Sequence, residues 1–137
     1  MTQGGFKDFV KEKRAWYKTI GKIYCPSLKE SVVFNSKGFR HLRYDSTGKA
    51  RTIKEQKYKL GLLPLVIPVI KNAKKIDKYE IIYSKPLGKH CEMWSIKSVV
   101  GKQNTQVKVI LRRIGDGNIT FFSVMKKRDK FGYKNNH

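Results

Sequence analysis

Three stretches near the C-terminus carry the clearest pattern of apolar and polar positions. Residues 91–100 (CEMWSIKSVV), 105–114 (TQVKVILRRI) and 118–125 (NITFFSVM) are rich in β-branched and aromatic residues, which suit a pleated, half-buried strand. Polar turns separate them. The first is Gly101-Lys102-Gln103-Asn104, and the second, Gly115-Asp116-Gly117, sets an Asp-Gly pair where a tight hairpin needs positive φ. Three successive antiparallel strands are therefore predicted. Alternation puts Trp94, Ile96, Ser98 and Val100 on one face of the first strand. In the second, Val107, Val109, Leu111 and Arg113 oppose Lys108, Ile110, Arg112 and Ile114; in the third, Ile119, Phe121, Ser123 and Met125 oppose Thr120, Phe122 and Val124. Both faces carry apolar groups, so helical cover is expected on one side and partial cover on the other.

Upstream, the period changes. Residues 6–20 (FKDFVKEKRAWYKTI) bring Phe6, Phe9, Val10, Lys13, Trp16 and Tyr17 to one side at helical spacing, ending near Gly21. That aromatic stripe reads as core cover rather than a platform for bases. Residues 23–26 read as a connector, 31–34 (SVVF) as a short strand able to join the main sheet, and Asn35-Ser36 as a helix cap. Residues 36–44 (SKGFRHLRY) form a short basic helix, Asp45-Ser46-Thr47-Gly48 a turn, and residues 52–60 (TIKEQKYKL) a helix capped by Thr52, with Glu55 in a capping-box role. Residues 62–73 (LLPLVIPVIKNA) predict a separate short helix with Pro64 at or before its start and Pro68 in its first turn, unless Pro68 kinks it. Its Leu65, Val66, Val69 and Ile70 would be the lid on the sheet. A further strand at 79–84 (YEIIYS) and a turn at Pro86-Leu87-Gly88 lead into the three strands. Helices first and an antiparallel sheet last define an α+β domain, with N-terminal helices packed on a C-terminal antiparallel β-sheet.

The 137 residues suit a single domain (1–137) with a basic, mobile tail at 127–137. Lys and Arg number 31 against 10 Asp and Glu, a formal charge of +21. Self-repulsion on that scale points to a polyanionic partner, nucleic acid before an anionic membrane, since no sustained basic amphipathic helix is present. The longest apolar run, residues 60–70, holds two prolines and is too short to cross a bilayer, so no stable membrane insertion is expected. The N-terminus has no apolar signal region, which suggests a cytosolic place of action; a toxin fragment delivered from a larger exported chain would look the same. Cys25 and Cys91 lie far apart and read as small buried thiols. His41, His90 and His137 have no zinc-ligand spacing and no phosphate-binding Gly-x-x-x-x-Gly-Lys loop occurs, so no metal or other cofactor is expected.

The most suggestive residue is His41, one turn from Lys37 and close to Arg40, Arg43 and Tyr44. Neighbouring cations disfavour the imidazolium and move its pKa toward or below neutrality, where it exchanges protons. The ordinary alternative is a surface histidine on a basic helix. Lys37, Arg40, Arg43 and Tyr44 are candidates for substrate binding.

A histidine in FRHL, then the LPLVIPVIKNAKKI helix, then the VILRRI and ITFFSV hairpin, resembles the barnase, EndoU, colicin E5/D and RelE (BECR) superfamily of ribonuclease toxins. Its phage-borne and contact-dependent branches are the most similar. The resemblance covers residues 31–126, which would be the nuclease-like core. It implies metal-independent cleavage of RNA, often tRNA, by attack of the 2′-hydroxyl to leave a 2′,3′-cyclic phosphate. It implies a site made of the helix histidine His41, the sheet aromatic Trp94, a strand arginine (Arg113, with Arg112 as alternative) and the last-strand hydroxyl Ser123. Here His41 would transfer a proton, the arginine would hold the phosphate, Ser123 would donate to a nonbridging oxygen, and Trp94 would stack on a base or fill the core. Members sometimes carry an acid one turn before the histidine, where this chain has Lys37 and Gly38. The implied partners are RNA and an acidic immunity or antitoxin protein, and the implied location is the cytoplasm of a bacterial cell. The alternative from another class is a nonenzymatic RNA-binding protein, which needs the charge and the sheet aromatics but not the histidine.

Overall fold

A computed structural model describes residues 3–126; the basic stretch 127–137, expected to be a mobile tail, lies outside them. In chain order the elements are α1 (Gln3–Lys18), β1 (Lys22–Cys25), β2 (Glu30–Val33), α2 (Ser36–Arg43), α3 (Ile53–Asn72), β3 (Lys78–Ser84), β4 (Lys89–Val100), β5 (Thr105–Ile114) and β6 (Ile119–Lys126). The architecture is α+β. Six strands form one sheet in the order β1-β2-β6-β5-β4-β3. All neighbours are antiparallel except β2 and β6, which run parallel.

The three C-terminal strands form where expected, and β4 and β5 keep the alternation. Trp94, Ile96, Val107, Val109, Leu111 and Phe121 are buried in one core, and α3 packs against β4, β5, β6 and β1. Its Leu60, Leu63, Val66, Val69 and Ile70 are fully buried. Among the described residues no helix is long and apolar enough to cross a membrane. Cys25 and Cys91 are buried free thiols.

Four local expectations need correction. Residues 22–25 are not a connector but β1, the edge strand paired with β2 from Lys22↔Val33 to Cys25↔Glu30. Residues 53–72 form one helix rather than two, with Pro64 and Pro68 inside it. The prolines, four residues apart, share one stripe that is exposed at Pro64 and half-buried at Pro68. Burial of the opposite face outweighs the backbone hydrogen bonds they forfeit. In the last hairpin, positive φ falls on Gly115 (φ 54) and not on Gly117. Strict alternation also fails in β6: Ile110 pairs with Ser123 and Leu111 with Phe121, which leaves Phe122 as the extra residue of a β-bulge. Phe121 and Val124 can then both be buried in the core.

An aromatic cluster joins α1 and α2 to β6. Tyr17 lies edge-on to Phe34 and Phe39, and Phe34 stacks on Phe121 with centroids 5.2 Å apart. Gly38 sits at the closest approach: a Cβ there would be 2.6 Å from the Phe121 carbonyl oxygen and 2.6 Å from the Tyr17 hydroxyl. Gly38→Ala is expected to keep the fold but lose about 1–3 kcal/mol, the usual cost of overpacking a filled core. Urea unfolding measures this, and a variant as stable as the parent would show that α2 does not depend on the close approach.

Candidate nucleic-acid site on helix α2

Pairing between β2 and β6 covers only Val32↔Ile119 and Val33↔Thr120. The chain then turns into α2, whose N-cap Asn35 accepts a hydrogen bond from the Gly38 N–H at 3.2 Å. Helix α2 therefore lies against β6 just where that strand loses its second strand neighbour. The free edge is satisfied by side chains instead. Lys59 Nζ donates to the Val124 carbonyl at 3.1 Å, and the Lys126 N–H donates to the Tyr58 hydroxyl at 2.7 Å. Arg51 secures the end of α2: its Nε donates to the His41 carbonyl at 3.1 Å and its N–H to the Arg43 carbonyl at 2.9 Å.

This arrangement brings His41 and Arg112 together on the bulged Phe122. The imidazole centroid is 4.2 Å from that of the Phe122 ring, and the Arg112 guanidinium carbon is 4.5 Å from the ring centroid. Burial, followed by the charges of Arg112, Arg51, Arg40 and Lys37, lowers the His41 pKa from 6.5 to about 4. The imidazole is thus neutral at pH 7 and able to accept a proton. Burial also lowers the pKa of Arg112, although a guanidinium starts high enough to remain charged at neutral pH. Its Nε is buried without a hydrogen-bond partner among the described residues. An orphaned charged donor is costly, and it is the accessible remainder of the half-buried guanidinium that a phosphate can approach. Among the described residues, Arg51 alone of this cation set has a carboxylate partner, Glu55 at 3.5 Å.

Arg113, expected to face the phosphate, is committed elsewhere. Its Nε donates to Glu92 at 2.8 Å, its Nη1 donates to Glu30 at 3.2 Å, and its guanidinium carbon lies 5.3 Å from the Trp94 ring centroid. The cause is strand alternation: Arg113 pairs in register with Glu92 and shares its face, whereas Arg112 points the other way. Trp94 is buried on the core face, with Tyr79 5.5 Å away and Arg113 over its ring, and it belongs to the hydrophobic core. Ser123 is buried, and its hydroxyl accepts from Lys59 Nζ at 3.3 Å. Of the four kinds of group expected at the site, the structure joins the histidine and one arginine. The acid sought one turn before His41 has no room at Gly38.

Lys37, Arg40, Arg43 and Tyr44 line a cleft of about 470 Å3 between α1 and α2, together with Arg14 and Lys18 from α1. His41 and Arg112 do not line it. Sequence reasoning missed Phe122, Arg51, Arg14, Lys18 and Lys59. Phe122 depends on the bulge, and the four cations act across distances in the chain that no local pattern encodes.

No protein-family model matches the chain, and no curated protein or solved structure matches it significantly.

The low His41 pKa has two measurable consequences. The His41 ring proton should titrate by NMR with a midpoint near 4, and added inorganic phosphate should raise that midpoint by offsetting the neighbouring cations. A midpoint near 6.5 without phosphate would contradict the burial and the cation cluster. A folded pKa below the unfolded one also means that the neutral imidazole's contribution to stability is complete above about pH 6.5 and is lost as pH falls toward 4. Wild type should therefore lose more stability than His41→Gln between pH 7 and pH 4 in urea unfolding.

Proposed function

We propose that this protein is a metal-independent endoribonuclease of the toxin type, cleaving RNA by attack of a 2′-hydroxyl on the adjacent phosphate. The observation that carries this reading is the pair His41 and Arg112 on Phe122: a neutral proton acceptor beside a cation with an unpartnered buried N–H. The formal charge of +21 supplies the attraction for a polyanion.

In the proposed reaction the substrate phosphate binds against the accessible edge of the half-buried Arg112 guanidinium, which stabilises charge developing on the nonbridging oxygens. His41 takes the proton of the 2′-hydroxyl as that oxygen attacks phosphorus. The new P–O2′ bond forms as the P–O5′ bond breaks, giving a 2′,3′-cyclic phosphate and a 5′-hydroxyl end. The imidazolium, or water, supplies the proton to the departing oxygen. A bound phosphate carries negative charge to the four cations that depress the His41 pKa. It therefore raises that pKa toward neutrality and lets the ring hold the proton it has taken.

The superfamily resemblance makes tRNA the first substrate to test, the bacterial cytoplasm the place of action, and an acidic immunity or antitoxin protein the partner that would cover the basic surface. The second reading is a nonenzymatic RNA-binding protein. The cleft between α1 and α2 favours it, because RNA could be held there without His41.

Single-turnover cleavage beside filter binding separates the two. His41→Ala should lose roughly two to four powers of ten in rate with little change in binding, and Arg112→Ala should lower both. Arg113→Ala, which breaks a structural ion pair, should keep its rate wherever circular dichroism shows it folded. A folded His41→Ala protein cleaving at the parent rate would refute the catalytic reading, as would Arg113→Ala impairing cleavage while Arg112→Ala did not.

A further inference from the structure

The cleft between α1 and α2 is distinct from the His41–Arg112 pair, and its make-up is unusual. Five cations line it: Arg14, Lys18, Lys37, Arg40 and Arg43. No carboxylate is among its lining residues. All three guanidinium groups of the lining lie over aromatic rings. Arg14 lies 5.0 Å from the Phe39 ring centroid, and Arg40 lies 4.4 Å from that of Tyr44. Arg43 lies 5.6 Å from Tyr44, and its Nε donates to Gln56 at 2.9 Å. Among the described residues none of the five cations makes an ion pair.

Like charges gathered without a counter-charge cost stability, and that cost is offset when an anion binds. A guanidinium laid on a ring has its N–H edges aimed and its rotamers restricted, so little ordering entropy is lost on binding. The space, about 470 Å3, falls within the range of pockets that enclose small organic ligands, about 300–1,000 Å3. Phe34 and Phe39 are buried in the aromatic cluster behind the lining, so the flat surface on offer is the half-buried Tyr44 with the guanidinium planes of Arg40 and Arg43 laid on it. A bare phosphate would use the charge and leave that flat surface idle, whereas a nucleotide would use both.

We infer that this cleft is a nucleotide subsite: it takes one unpaired nucleotide of an RNA strand, its phosphate among Arg14, Lys18 and Lys37 and its base against Tyr44 and the guanidinium planes laid on it. The inference rests on the proposed RNA substrate only for the polymer to which the nucleotide belongs. Its place beyond α2 from Arg112 makes it a positioning subsite that holds the strand while the phosphate at Arg112 reacts.

The probe is uridine 5′-monophosphate, with uridine as the control lacking phosphate, followed by NMR on the full chain. Uridine 5′-monophosphate should shift resonances of Arg14, Lys37 and Tyr44, and uridine should bind at least about tenfold more weakly, as expected for loss of charge-assisted hydrogen bonds. Arg14→Ala, on an exposed helix face, should weaken the nucleotide about tenfold, and Arg14→Lys should restore part of the loss. In cleavage, Arg14→Ala should raise KM and leave kcat unchanged. Equal binding of uridine and its monophosphate, or shifts centred on His41 and Arg112, would overturn the subsite. Weaker nucleotide binding by Arg14→Ala with an unchanged KM for RNA would overturn its role in holding the strand. Failure of the nuclease reading would appear separately, as absent cleavage beside intact uridine 5′-monophosphate binding that Arg14→Ala weakens.

Discussion

The interrupted pairing of β6 is the constraint on which the site depends. Strand β2 accompanies it for two register positions, and a strand edge left open beyond that point would expose unpaired backbone groups. Here the edge is closed by α2 and by Tyr58 and Lys59 from α3. The closure brings α2 so near that a side chain at position 38 would have to push Phe121 or Tyr17 aside. A bulge at Phe122 in the same strand lets Phe121 and Val124 stay in the core while Phe122 meets His41 and Arg112. Backbone economy at one edge thus sets the position of the histidine and the ring beneath it.

Charge is divided unevenly over this frame. Several carboxylates are absorbed in structural work: Glu92 and Glu30 hold Arg113, Asp77 pairs with Lys97, and Asp45 accepts hydrogen bonds from Thr47 and Lys49 in its turn. The cations around α2 are left with Glu55, on Arg51, as their carboxylate partner among the described residues. Burial and then this imbalance depress the His41 pKa, and the imbalance attracts a polyanion. Binding and proton affinity are therefore linked: an anion that relieves the cations also restores the part of the imidazole's basicity that the cations removed.

The elements were legible in the sequence wherever one period held over a long stretch. The three C-terminal strands and the Thr52 and Asn35 caps followed from alternation and cap chemistry alone. The joining of residues 53–72 into one helix was not legible, because local rules count the hydrogen bonds that Pro64 and Pro68 forfeit but not the burial of Leu63, Val66 and Ile70. At the site, His41 and its cation neighbours stood out from the chain itself. The choice between Arg112 and Arg113 did not: both lie on one strand, and the face that matters is fixed by Glu92 across the strand pair and by the bulge at Phe122. Those are long-range facts, and a pattern of adjacent residues does not carry them.

The most direct test of the central claim is the chemistry of the ends produced. Purified protein is incubated with total RNA in EDTA, and the new termini are mapped beside those from the His41→Ala protein. New ends bearing 2′,3′-cyclic phosphate and 5′-hydroxyl groups, formed by the parent and lost with His41→Ala, are the predicted result. No new ends with the parent protein, or 5′-phosphate ends, would contradict it.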